Sequence, residues 1–271
     1  MLLAPKPEII LFGGEEGTAE ICQKFNLRNV PEVTHNEFGT PLMNDLFEKA
    51  QSLATHDLIC YINADIIVTQ SFIEAINIAH QRWKRFVISC APWRVAMDKE
   101  LNFTFPDWEG KLRNLIKENG MIPNTVGMDI YLFPRGFYYR IPSFALGRTK
   151  WDTWLISKAC SGRIPYIDAT PFVLTVHPNH KKSAHSERWQ ENEESLINHR
   201  IAGWWSETFT ISDVPYILER DGRLKKRRFF NLLLRRIDAI KFFPLLARLR
   251  PRKRMRYFLQ KIGFYHIKQG F

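Results

Sequence analysis

Apolar positions along this chain follow two rhythms. Short unbroken runs come first to the eye: Glu8–Phe12, Asp57–Ile62 continuing through Asn63-Ala64-Asp65 to Ile67, Phe86–Ala91, Ile130–Phe133 and Pro171–Val176. Runs this short, bounded by Gly, Pro, Asn or Asp, read as strands, those at Asp57–Ile62 and Phe86–Ala91 as buried ones. Between them the spacing turns helical. Thr18–Phe25 reads as a helix with Thr18 as N-cap, and Gly39–Ala50 repeats Leu42, Leu46, Phe47 and Ala50 on one face. Ser71 caps a third helix to about Trp83, and Trp151–Ala159 forms another. The alternation over the first ninety residues predicts parallel βαβ units, hence an α/β fold whose mostly parallel sheet is flanked by helices. Trp93–Gly136 changes character, being rich in Pro, Gly and Trp, and a polar helix is expected over Glu187–Ile201.

Composition narrows the class. With 271 residues, 45% hydrophobic and 25% charged, the chain can bury one large core. No apolar run approaches the roughly 20 residues that cross a bilayer, and Met1–Pro7 lacks the apolar stretch of a signal peptide. Cys22, Cys60, Cys90 and Cys160 are scattered without metal-type spacing. Cys60 and Cys90 lie in apolar runs and read as buried free thiols, in keeping with a cytoplasmic protein.

The net charge of +11 is unevenly placed. Residues 222–271 hold 16 Lys and Arg against Asp238 alone, whereas the other 221 residues hold 23 basic and 27 acidic side chains. Two regions follow: a body, 1–221, and a basic helical tail, 222–271. From Leu224 to Phe243 the tail sets Phe230, Leu233, Leu234, Ile237 and Ile240 on one helical face, with Lys and Arg opposite. Such a helix fits an anionic membrane surface, and equally a helix packed on the body with its charges solvated. No nucleic-acid module accompanies the charge, so nucleic acid is not expected as a partner.

Candidate chemistry begins at Asn63-Ala64-Asp65. A carboxylate at the carboxyl end of a strand stands where open α/β sheets bind ligands, and burying it without a partner would cost several kcal/mol. Asp65 is therefore either a ligand of a divalent cation bridging a diphosphate or a structural cap of the following turn. His177-Pro-Asn-His180 follows a strand directly, so His177 or His180 can complete a metal site or lie in a surface loop. Asp129 precedes the Ile130 strand. Asp152 opens the Trp151 helix, where it is a general base or a charge at the positive helix end. Arg148 and Lys150 can pair with phosphates or with Asp152. Neither HExxH, GxSxG nor GxxxxGK[ST] occurs, which argues against a zinc protease, a serine hydrolase and a P-loop enzyme. Gly13-Gly14-Glu15-Glu16-Gly17 is too acidic to cradle phosphate and reads as a turn.

Taken in order, the Asp65 strand, Gly127-Met128-Asp129, the Gly147–Leu155 helix and the His177–His180 strand end resemble the GT-A-fold glycosyltransferases, in particular the bacterial family 2-like nucleotide-diphospho-sugar transferases. The resemblance covers roughly residues 8–218. It implies a Rossmann-like GT-A fold and a nucleotide-diphospho-sugar donor held by Asn63, Asp65, Asp129 and Arg148. It further implies Mn²⁺ or Mg²⁺ on Asp65 with His177 or His180, and Asp152 as the base of an inverting transfer. Asn63 departs from the family's Asp-x-Asp and removes one charge. Glu8–Phe12 looks like the second strand of such folds, so a first strand that would cradle the nucleobase is expected to be missing.

The expectation is a metal-assisted, inverting glycosyltransferase acting on a glycan or lipid-linked acceptor, peripheral at the inner face of the plasma membrane through its tail. Trp93, Trp108, Trp151 and Trp154 are candidates for stacking on sugars, or for the core. The alternatives are a non-catalytic, degenerate transferase-fold protein that binds a membrane or partner, and a nucleotidyltransferase.

Overall fold

The computed structural model describes residues 2–97, 101–122, 128–179, 192–206 and 209–227. The chain divides into Met1–Arg228 and Phe229–Phe271, and the first unit is described below. The basic-aromatic tail read from the sequence lies outside the described residues, apart from its first few positions.

Eleven strands and six α-helices build the described residues: β1 Ile10–Phe12, α1 Thr18–Phe25, β2 Arg28–Val30, α2 Met43–Leu53, β3 Leu58–Ile62, β4 Ile67–Val68, α3 Gln70–Arg82, β5 Val87–Ser89, β6 Trp93–Ala96, α4 Trp108–Asn119, β7 Ile130–Pro134, α5 Trp151–Ser161, β8 Tyr166–Asp168, β9 Thr175–Asn179, α6 Glu193–Ser206, β10 Tyr216–Leu218 and β11 Leu224–Lys226. The main sheet has six strands in the order β11-β10-β8-β5-β7-β3. β5, β8 and β10 pair in parallel, while β7 runs antiparallel to both β3 and β5, and β11 antiparallel to β10. A three-stranded sheet, β4-β9-β6, and a parallel pair, β1-β2, complete the strands.

The α/β class is as expected, but the sheets are mixed rather than mostly parallel. β1-α1-β2 is a parallel unit, but its second strand, Arg28–Val30, was not among the strands expected from the sequence. β3 and β5 are not neighbours, because β7, seventy residues away in the chain, inserts between them. Periodicity reports the face a strand buries and says nothing about which strand lies beside it.

Both faces of the main sheet are covered. Along β7, Tyr131 and Phe133 enter one core with Phe47, Trp151 and Leu155, while Ile130 and Leu132 enter a second with Phe72, Ala75 and Phe86. β5 and β8 alternate in the same way, Val87 and Tyr166 on the first face, Ile88 and Ile167 on the second. Strand side chains alternate with period two, so a strand apolar at every position is one that is buried on both sides. Phe47 stacks on Phe133 at 5.3 Å and on Tyr61 at 5.6 Å, which ties α2 to β7 and β3. A third core joins Val95, Trp108, Leu112 and Val176 beneath the small sheet.

Local differences have simple causes. Gly17, not Thr18, is the residue before α1, in left-handed geometry (φ 85°) with no side-chain cap, which suits glycine. Thr69 precedes α3, while Ser71 uses its hydroxyl on Leu174's N–H at 2.8 Å. The Trp93–Gly136 stretch contains β6 and α4, hidden in the sequence by their Trp, Gly and charged residues. At the carboxyl end, Leu224–Lys226 is a strand rather than the start of a helix. Leu224 packs on the second core and Arg227 forms an ion pair with Asp168, so the body reaches past residue 221.

Candidate functional site

One cleft of about 1510 Å³ opens beside the carboxyl ends of β1 and β3 and the amino end of α5. Asn63, Asp65, Asp129, Arg148, Asp152 and His177 all line it. These residues come from four separate stretches of sequence, and the fold brings them to one place. His180 and His185 lie outside the described residues.

Asp65 sits in the turn between β3 and β4 and is exposed, its side chain 41% accessible. It is thus not the buried carboxylate the sequence leads one to expect. The chain turns out of the sheet at Asn63, whose N–H bonds to the Asp129 carbonyl, and this carries Asp65 to the cleft surface. Its partner is His177 of β9, with Nε2 3.0 Å from Oδ2. The other ring nitrogen, Nδ1, donates to the Pro178 carbonyl at 2.9 Å. With a proton on Nδ1, a neutral ring would turn its Nε2 lone pair on a carboxylate, so the contact calls for a proton on Nε2 as well. Burial pulls His177's pKa down, but the Asp65 carboxylate overcomes this and the net shift is upward.

A divalent ion would answer the same need. A metal-binding histidine characteristically donates its other N–H to a carbonyl or carboxylate, as His177 does to Pro178, so Asp65 and His177 are the residues that could hold a divalent ion such as Mg²⁺ or Mn²⁺. Among the described residues no group of three or more His, Cys, Asp or Glu forms a full cation cage, so an ion here would take its remaining ligands from substrate oxygens and water.

Asn63 and Asp129 serve each other. Asn63 Nδ2 donates to Asp129 Oδ1 at 3.1 Å, and its own Oδ1 accepts the Tyr61 hydroxyl at 2.7 Å. Arg94 of β6, not singled out from the sequence, donates to Asp129 Oδ2 at 3.3 Å. Burial raises the Asp129 pKa, against the pull of Arg94 and His177. Arg94 reaches the site because β6 lies parallel to β9, with Arg94 beside His177 in register. The only trace in the sequence was an Arg inside a Trp-x-Val alternation.

Asp152 occupies the first turn of α5, where its Oδ1 accepts the Thr153 N–H at 2.7 Å. Burial raises its pKa above the ordinary aspartate value, against the hydrogen bond and Lys150. Lys150 precedes the helix with φ 85°, a strained geometry for a non-glycine residue, and it lines the cleft. Arg148 also lines the cleft, but its guanidinium is tied to Glu194 through Nε at 2.6 Å and Nη2 at 2.5 Å. Asn36 bonds the same carboxylate at 2.8 Å. Arg148 thus pins α6 to the loop before α5.

Of the four tryptophans weighed for stacking, Trp151 alone lines the cleft. It is 7% accessible and packs edge-on against Tyr61 and Tyr131, so it serves the core first. Trp108 belongs to the third core. The turn expected over Gly13–Gly17 falls at Glu16-Gly17, and Gly13 adopts φ 108°, a backbone geometry that favours glycine. Burial pushes the Cys60 thiol up to about 12, as expected of an unreactive cysteine.

No family model, curated protein or solved structure matches this chain. The site's geometry and chemistry are what speak for its function.

Proposed function

We propose that this protein is a glycosyltransferase that moves a sugar from a nucleotide-diphosphate donor to an acceptor hydroxyl, with inversion. The observation that carries the proposal is the convergence of Asn63, Asp65, Asp129, Asp152 and His177 on one cleft at strand carboxyl ends, where open α/β folds hold ligands. Asp65 and His177 would hold Mg²⁺ or Mn²⁺, which when bound neutralises charge on a diphosphate leaving group. Asp152, whose raised pKa makes it a stronger base, takes the proton of the acceptor hydroxyl as that oxygen attacks the anomeric carbon. The bond from that carbon to the diphosphate oxygen breaks, and the diphosphate departs with the bonding pair.

The acceptor belongs near an anionic membrane surface, to which the 16 basic residues of 222–271 would draw the enzyme. Among the described residues no helix is long and apolar enough to cross a membrane. Sugar-nucleotide turnover, by hydrolysis or transfer, is expected with Mn²⁺ and a panel of donors. D65A should weaken Mn²⁺ binding about 10-fold or more, read by calorimetry, and should reduce turnover in step. Unchanged turnover in D65A would overturn the proposal.

A further inference from the structure

Side chains within the cleft already balance two of its carboxylates: Asp65 faces His177, and Asp129 faces Arg94. Asn63, which stands where the resemblance expects a carboxylate, donates to Asp129 and accepts from Tyr61, so its polar atoms are committed to orienting Asp129. The consequence falls on Arg94. Its backbone is held on both sides, by the parallel register with β9 and by paired hydrogen bonds to Met121 at 2.8 and 3.0 Å. Among the described residues its guanidinium donates one hydrogen bond, to Asp129, although the group carries five N–H donors. The side chain is 31% accessible and lines the cleft. Arg148, by contrast, is closed off by Glu194.

We propose that Arg94 is a diphosphate-binding residue, presented by Asp129, and that through it the cleft takes a diphosphate group without a divalent cation. A planar guanidinium held through one N–H can offer its other N–H groups to two phosphoryl oxygens, and fork-like pairing of this kind is the strong form of a charge-assisted hydrogen bond. Asp129 makes the presentation rigid and, being buried, leaves the guanidinium as the accessible charge of the pair. A cation at Asp65 and His177 then adds to this binding and is not its precondition. The inference rests on the sugar-nucleotide reading of the cleft.

The test is calorimetric titration of inorganic pyrophosphate into the full chain in EDTA. Wild type is expected to bind saturably, and R94Q to bind about 10- to 100-fold more weakly, the range expected for loss of a charge-assisted bond. R223Q supplies the control: it removes one positive charge from an exposed arginine that pairs with Asp221. It should bind as wild type does, which separates the cleft from general attraction to the basic tail. Because R94Q leaves Asp129 uncompensated, R94Q/D129N is measured beside it and should show the same loss in a better-balanced fold. Equal affinity in R94Q and R223Q, or no wild-type binding in EDTA, overturns the inference. Pyrophosphate binding lost in R94Q while no donor is ever turned over would refute glycosyl transfer and leave Arg94's role standing. Turnover with R94Q binding pyrophosphate normally would do the reverse.

Discussion

Asp152 meets opposing demands at one carboxylate. Burial holds its pKa above the ordinary aspartate value, so in the folded protein ionisation is disfavoured relative to the unfolded chain. The stability linked to this group is full below the unfolded pKa and is lost as pH rises through the folded one. D152N removes the penalty while keeping an oxygen for the Thr153 N–H. Its Tm should exceed that of wild type at pH 7, with the gap closing as the pH is lowered below the normal aspartate range; equal melting at pH 7 would contradict this. Activity should move the other way. Losing a general base lowers turnover by about 10²- to 10⁴-fold, and wild-type turnover should climb with pH as Asp152 ionises. The two readouts together separate a catalytic carboxylate, costly to fold, from one that merely caps α5.

At the scale of elements, β7 is the member on which the site depends. It follows directly on Asp129, separates β3 from β5, and packs Tyr131 and Phe133 under the cleft. Phe133 is 1% accessible, stacked on Phe47 and edge-on to Tyr138 at 4.9 Å. F133A should cost about 3–5 kcal/mol in denaturant unfolding, the usual range for an aromatic truncated in a packed core. A loss below about 1 kcal/mol would mean that this face is loosely packed. The apolar run at Ile130–Phe133 made β7 legible as a strand, and its neighbours were not legible at all. Likewise α5 was readable from pattern, which is why Asp152 was in view; the strand read at Pro171–Val176 overlaps β9 only at Thr175 and Val176, so His177 lies within β9 rather than just after a strand. Arg94 was not in view, because β6 is short and carries Trp and Arg on a strand whose partner, β9, lies more than eighty residues on.

For the whole molecule, charge separates a mildly acidic body from a strongly basic carboxyl-terminal stretch, and the body's compact unit runs to Arg228. A chain ending at Arg227 retains β11 and the Arg227–Asp168 ion pair. It should melt as a folded unit and bind pyrophosphate as the full chain does. Binding to vesicles of mixed neutral and anionic lipid should be lost, since each Lys or Arg near such a surface contributes about 1 kcal/mol. Sedimentation with those vesicles at low and high salt reads the difference, and retained, salt-sensitive binding by the shortened chain would refute attachment through the tail.

By itself the sequence determined β1, β3, β5 and β7, the helices α1, α2, α3 and α5, and the polar residues that end several of these segments. These are local matters, settled by period, burial and turn chemistry within a few residues. Only the tertiary structure decided the mixed order of the sheet, the exposure of Asp65, and the pairing of Asp65 with His177 and of Asp129 with Arg94 and Asn63. Pairing between strands depends on backbone hydrogen bonds and packing among residues tens of positions apart, and no local pattern encodes that distance.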